Sequence, residues 1–354
     1  MKRILILVND VTTILQFRCE LVRALVSAGH EVVVSVPDSD RLKEIEALGA
    51  EVVETEVARH GKNPLKDVAL MFRYKKLIKK VAPDVVFSYT VKPNVYGGMA
   101  CAALKVPCIA NVTGLGVVGG GGLMQRLTLW LYKKGLKRAK KVFFQNESNL
   151  AFFKAQGIVG DNAVLLPGSG VNLDRFHAEE YPEDGVVNLL FVGRIIRDKG
   201  VFELAEVARA LEEDESVHFS VLGSCEFGAE NPFEGMANVT CLPYDKNVQP
   251  YYARAHAIVL PSYHEGMANV LLEGAATARP VLASDIPGCR EALDEGVTGF
   301  GFEARSGADL LRAVKRLLSL SHEERRAMGL RGREKMEREF DRKIVIAKYF
   351  DELN

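Results

Sequence analysis

The sequence predicts two doubly wound α/β domains of similar size joined by one linker. Three observations predict it. At roughly 150 residues per domain, 354 residues make two. Short apolar runs alternate with helix-period segments, the pattern of βαβ units around a parallel sheet. The alternation stops once, over Pro167–Gly185, a stretch of Pro, Gly and acidic residues, and then restarts. Apolar residues make up 48% and charged residues 26%, which excludes a disordered, collagen-like or disulfide-scaffold chain. Equal totals of 46 basic and 46 acidic residues exclude a surface that is basic all over and grips nucleic acid.

The elements follow in order. Ile4–Val8 reads as a strand; the run is too short for the apolar core of a signal peptide. Ile14–Ala28 reads as a helix, Gly29–Val36 as a strand, Leu42–Leu48 as a helix ended by Gly49, and Glu51–Glu54 as a strand. Lys66–Val81 is a helix stopped by Pro83, Asp84–Ser88 a strand, Val95–Leu104 a helix and Pro107–Asn111 a strand. Gln125–Arg138 is a helix and Lys141–Gln145 a strand. Beyond the linker come strands at Val187–Val192, His218–Leu222, Ala257–Leu260, Val281–Ala283 and Phe300–Phe302, with a helix at Val201–Leu211. His322–Leu353 forms one or two helices rich in Arg and Glu. No run reaches the ~18 apolar residues of a spanning helix, so the expected location is cytoplasmic. The six cysteines contain no C-x-x-C pair and read as reduced structural thiols, several of them, Cys241 in its strand-like run included, as small buried hydrophobes.

Ligands of such sheets bind beyond the carboxyl ends of the strands, so the loops there carry the chemistry. The first β–α turn, Asn9–Thr13, lacks the glycines of a dinucleotide turn, and no P-loop is present. The glycine-rich Gly114–Gly122 matches neither spacing and reads as a loop over the cleft. Asp38-Ser-Asp40 reads as a turn or helix cap, not as a metal site, and no metal is expected. In the second half, Gly193-Arg194 and Lys199-Gly200 place two cations after that domain's first strand, where they suit a diphosphate. About seventy residues later, Glu265 precedes a helix and Glu273 lies within it. The N–H groups of Gly266, Met267 and Ala268 would form an anion site at that helix start. A carboxylate beside a phosphate site is costly unless it accepts hydrogen bonds from hydroxyls, which sugar and ribose supply.

On these residues the chain resembles a family-4-type retaining glycosyltransferase of GT-B fold, two Rossmann-like domains facing a cleft. Val8–Asp10, Phe17-Arg18, Ser88–Gly97 and Asn111–Gly116 resemble a bacterial subgroup acting on lipid-linked precursors of surface glycans. The resemblance implies an acceptor domain over 1–175 and a donor domain over 186–338, with helix 339–354 returning to the first. It implies a UDP-sugar donor, with Arg194, Lys199 and Glu265 as catalytic residues. Gly193, His264, Gly266, Met267, Ala268, Asn269 and Glu273 would bind the donor. Asn9, Asp10, Thr90, Lys92, Asn94, Thr113 and Asn146, at strand ends, would bind an undecaprenyl-diphosphate-linked glycan. The implied activity is transfer of a sugar such as an N-acetylhexosamine. A UDP-sugar 2-epimerase of the same fold and a non-catalytic nucleotide-sugar-binding protein are the alternatives.

Charge placement adds a partner. Residues 1–180 carry 25 basic and 17 acidic side chains and residues 181–354 carry 21 and 29, so +8 and −8 cancel. Arg59–Lys80 holds eight basic residues and one acid, Asp67. Leu70, Met71, Tyr74, Leu77, Ile78 and Val81 form a core face. Leu65, Val68 and Phe72 project among Lys75, Lys76 and Lys79 on the other side, the mark of a helix resting on anionic lipid. Trp130 stands at the edge of a second basic helix. The alternative is two solvated helices; a lipid-linked acceptor favours peripheral docking on the cytoplasmic face of the inner membrane. Without interleaved stacking aromatics the basic stretches do not suit nucleic acid.

Overall fold

The computed structural model describes residues 1–57, 64–114, 122–225 and 231–353, with backbone alone at residues 64, 65 and 123. The chain forms two compact units, Met1–Ser169 with Ile346–Asn354, and Gly170–Val345. The first crossing is thus at 169/170 where 175 was expected, and the return is at 345/346 where 339 was expected.

In the first unit the strands are β1 (Arg3–Leu7), β2 (Glu31–Val36), β3 (Glu51–Glu54), β4 (Val85–Tyr89), β5 (Cys108–Val112), β6 (Lys141–Phe144) and β7 (Ala163–Leu165). Its helices are α1 (Val11–Phe17), α2 (Cys19–Ser27), α3 (Leu42–Glu46), α4 (Pro64–Val81), α5 (Gly98–Leu104), α6 (Gly122–Leu136) and α7 (Glu147–Ala155). The strands pair in the order β3-β2-β1-β4-β5-β6-β7, all parallel. Both faces are covered, so successive residues are buried over Ile4–Leu7 of β1 and throughout β4. The register Leu5↔Val86↔Cys108 and Leu7↔Ser88↔Ala110↔Val142 puts these residues on one face. There they meet Leu70, Tyr74 and Leu77 of α4, Cys101 of α5, Tyr132 of α6 and Phe153 of α7.

The second unit holds β8 (Val187–Val192), α8 (Val201–Ala210), β9 (Val217–Leu222), β10 (Val239–Leu242), α9 (Gln249–Arg254), β11 (Ala257–Leu260), α10 (Asn269–Ala276), β12 (Val281–Ser284), β13 (Gly299–Phe302), α11 (Gly307–Leu318) and α12 (His322–Lys335). α13 (Arg342–Asp351) begins there and ends in the first unit. The sheet order is β10-β9-β8-β11-β12-β13, again parallel. On the opposite face of the first sheet, Tyr349 of α13 packs 5.0 Å from the rings of both Phe87 and Phe143 and receives a hydrogen bond from Asn111 Nδ2 at 3.0 Å.

Three expectations are corrected. The single helix over Ile14–Ala28 is two, broken at Arg18, whose backbone leaves the helical region (φ −135°, ψ 3°). Its buried guanidinium lies 4.9 Å over the Tyr89 ring, a contact that a continuous helical pattern does not announce. The linker Pro167–Gly185 is not free: Phe176 and Tyr181 are buried, and Arg279 donates to the carbonyls of Glu179 and Glu180. Cys241 is exposed, because β10 is an edge strand. Asp38-Ser-Asp40 forms the turn of the two readings open for it: the Leu42 N–H donates to Ser39 O and the Arg41 N–H to Ser39 Oγ, and no side chain caps α3. Residues 115–121 of the glycine-rich loop, Arg59 and the Leu65 side chain lie outside the described residues.

Candidate functional site

In each sheet the strand order reverses once, between β1 and β4 and between β8 and β11. Loops diverge at such a point and leave a crevice at the strands' carboxyl ends. In the second unit, β8 delivers Gly193 and Arg194 to it and the 3-10 turn Arg197–Lys199 follows; β11 delivers Pro261–Glu265. The two loops touch. Gly200 has φ +68°, and a Cβ there would overlap the Pro261 carbonyl oxygen, so only glycine allows the approach. The Tyr263 N–H donates to the Asp198 carbonyl at 2.9 Å. Across this seam Lys199 Nζ donates to Glu265 Oε1 at 2.5 Å, and Ser262 Oγ donates to the same oxygen at 2.8 Å. Lys199 and Glu265, two separate expectations, are therefore one ion pair. Arg194 is exposed in the same loop.

Three residues that sequence reasoning passed over hold this seam. Ser262 fixes the carboxylate. Tyr263 is buried, donates to Glu203 Oε1 at 2.6 Å and lies 4.6 Å beneath the Arg305 guanidinium. Burial and the Glu203 carboxylate push its hydroxyl up to about 12, so it stays a donor. Gly288, at φ +88°, lies against the site's backbone: a Cβ would come within 2.7 Å of the Glu265 carbonyl oxygen. The available signal was the turn Ile286-Pro-Gly-Cys-Arg-Glu291 after β12.

The anion site at the start of α10 is smaller than expected. The Ala268 N–H is taken by Gly288 O at 2.7 Å and the Asn269 N–H by Met267 O at 3.0 Å, so neither is available to an anion. Met267 and Ala268 are buried. Asn269 Oδ1 is buried without a hydrogen-bond partner among the described residues. His264 is exposed beside Glu265. Glu273 sits apart from the ion pair: its Oε2 accepts from Tyr252 OH at 2.9 Å. Burial raises its carboxyl above the ordinary value, and the Tyr252 hydrogen bond and the Arg175 and Arg342 guanidiniums offset part of that.

In the first unit, Asn9 and Asp10 follow β1, Thr90 follows β4, Thr113 follows β5 and Asn146 lies just after β6. All are thus at carboxyl ends, and the first three flank the switch point. Thr90 has φ +68°, a strained value for a β-branched residue, and its buried hydroxyl has no partner among the described residues. Asp10 accepts from the Thr12 N–H and starts α1; Asn146 accepts from the Asn149 N–H and starts α7. Two expectations change. Asn94 is fully buried, accepts from Ser88 Oγ at 2.7 Å and donates to Asn111 O at 2.8 Å, so it ties strands together and does not meet an acceptor. Lys92 is not a lone cation: it pairs with Asp67 at 2.8 Å, half-buried, and Tyr96 OH donates to the same carboxylate.

Among the described residues no group of three or more His, Cys, Asp or Glu gathers as metal ligands, and no helix is long and apolar enough to cross a membrane. On α4, Val68 and Phe72 are 50% and 58% exposed, and Trp130 of α6 is 54% exposed. Lys76 and Lys79 are exposed around them; Lys75 is half-buried.

Residues 3–146 match the family model described as glycosyl transferase 4-like, and residues 187–320 match glycosyl transferases group 1. An N,N'-diacetylbacillosaminyl-diphospho-undecaprenol alpha-1,3-N-acetylgalactosaminyltransferase from Campylobacter jejuni is 28% identical over 86% of each chain. A UDP-Gal:alpha-D-GlcNAc-diphosphoundecaprenol alpha-1,3-galactosyltransferase from Escherichia coli is 22% identical over 72% of this chain and 71% of that one. The crystal structure of Anabaena HepE superposes with a TM-score of 0.80 at 15% identity, covering 100% of this chain and 99% of that one. Two parallel-sheet units, the Lys199–Glu265 seam at the second switch point and matches across both halves agree: the chain belongs to the family-4-type glycosyltransferases of GT-B fold.

Proposed function

We propose that this glycosyltransferase moves an N-acetylhexosamine from a UDP-sugar to a glycan carried on undecaprenyl diphosphate, with retention of configuration, at the cytoplasmic face of the inner membrane. The observation that carries the reading is the Lys199–Glu265 pair with Arg194 in the same crevice. The activities named for the two relatives support the choice of donor and acceptor class. That the matched families and relatives are transferases favours transfer over 2-epimerisation or binding without catalysis.

The chemistry follows from the donors available. A lysine has three N–H donors; Glu265 takes one, and the others can meet the diphosphate. Arg194 adds a planar fork. Together they neutralise charge as UDP departs, which acts on the transition state more than on the bound donor. Both hydrogen bonds to Glu265 fall on Oε1, which leaves Oε2 for a donor-sugar hydroxyl. A carboxylate held by an ammonium and a hydroxyl is a weak nucleophile, so the double displacement of retaining glycosidases is disfavoured. The acceptor hydroxyl attacks on the face that the phosphate leaves, and that phosphate takes its proton. A trapped covalent glycosyl-enzyme would sink this mechanism.

With two cations at the diphosphate, full activity is expected in excess EDTA; a complete loss restored by Mg²⁺ would return Asp38 and Asp40 to the site. Val68 and Phe72 among the α4 lysines support docking on an anionic bilayer. The deciding assay is a panel of UDP-sugars against undecaprenyl-diphosphate-linked sugars. UDP release only when acceptor is present supports transfer; an epimerised donor without acceptor overturns it.

A further inference from the structure

We propose that the groove between α6 and the end of α7 binds the phosphate of an anionic phospholipid head group, while the exposed stripe of α6 enters the bilayer beside it. The proposal rests on the membrane docking proposed above and gives it a second attachment, with a defined ligand. The groove is open, about 660 Å³, and Trp130, Lys133, Lys134, Lys137 and Ile158 line it with the loop Gly157–Gly160. No acidic side chain lines it, and among the described residues no carboxylate pairs with any of the three lysines. Lys133 Nζ lies over Gly157, 3.8 Å from where a Cβ would stand, and Lys134 Nζ lies 5.6 Å over the Trp130 ring. Three like charges around one groove repel each other, and a phosphate is the ligand that relieves them.

The rest of α6 selects the source of that phosphate. Met124, Leu127 and Trp130 recur at three-residue spacing, 41%, 48% and 54% exposed, and the lysines follow in the next turns. Apolar side chains, then an aromatic ring, then ammonium groups is the sequence of layers in a bilayer leaflet, from acyl chains through the interface to phosphate. α6 also packs on the same sheet face as α4, whose Val68 and Phe72 are exposed. The carbonyls at the end of α7 attract a cation and account in part for Lys133. They do not account for Lys134, Lys137 or the stripe.

Trp130 is the single tryptophan, so its emission reports on this groove alone. The full chain is mixed with phosphatidylcholine vesicles with and without phosphatidylglycerol. The expected result is a blue shift, and quenching by acyl-brominated lipid, only when phosphatidylglycerol is present. Replacing Lys133, Lys134 and Lys137 with Gln should lower vesicle partitioning about a hundredfold and remove the shift, with UDP-sugar binding unchanged. If the native chain neither floats nor shifts, membrane docking itself fails. If Phe72→Asp releases the chain but the triple Gln variant floats like the native chain with Trp130 emission unmoved, docking stands and the head-group groove is overturned. A shift produced by a polyprenyl-diphosphate-linked sugar in micelles, and not by phosphatidylglycerol, assigns the groove to the acceptor and likewise overturns it.

Discussion

At the scale of single residues, the pairing of Lys199 with Glu265 joins two loops 66 positions apart. Glu265→Gln keeps the shape and removes the charge. The expected outcome is a kcat lower by about a hundredfold or more, with UDP affinity equal or tighter because a carboxylate beside the diphosphate is gone. Steady-state kinetics and UDP titration check the split; an unchanged kcat would overturn the assignment. Glu273 gives the opposite kind of prediction. Its folded-state value lies above the unfolded 4.5 because of burial. The folded chain therefore binds that proton more tightly, and stability is lost as pH rises through the folded value. Glu273→Gln, which still accepts from Tyr252, should melt higher than the native chain at pH 8. The gap should close as pH falls toward 4.5; a melting series across that range reads it directly.

At the scale of elements, strands were legible because apolar runs bounded by Gly and Pro are local signals. Contacts between distant loops were not. Asn94 reads as a polar loop residue and is a buried clamp, because its partners Ser88 and Asn111 belong to neighbouring strands. Lys92 stands away from acids in sequence, yet Asp67 of α4 reaches it. Arg18 lies inside a run that reads as one helix and instead divides it, with its buried guanidinium over the Tyr89 ring of a strand distant in sequence. In the candidate site the residue types were readable, and the crevice could be located from the strand pattern. The supports Ser262, Tyr263 and Gly288 were not, because their roles depend on which loops meet. Asn94→Ala should cost about 2 kcal/mol through the buried groups it leaves unpaired. A urea midpoint checks this, and UDP binding by the second unit should be unchanged.

At the scale of the whole molecule, the zero net charge is a cancellation, with the basic excess in the half proposed to meet lipid. The stretch that reads as a linker is held at several points, among them one buried side chain with many bonds. Arg279 donates to the carbonyls of Tyr252, Ala253, Thr277, Ala278, Glu179 and Glu180. Burial pulls its guanidinium down to about 10, still charged at neutral pH. Arg279→Met leaves those carbonyls buried and should cost about 4 kcal/mol; a lower melting temperature and new proteolytic cleavage within residues 177–183 would show it. The course of the chain has a consequence for its synthesis. The aromatic face formed by Phe87, Tyr89 and Phe143 is closed by Tyr349, and Lys2 Nζ donates to the Leu353 carbonyl. The whole of Gly170–Val345 must therefore leave the ribosome before the first unit receives its last helix. At about 5–20 residues per second that is a wait of about 10–35 s with an apolar face uncovered. A nascent chain arrested near residue 340 should accordingly retain chaperones on its first half, and release them once the last helix has emerged.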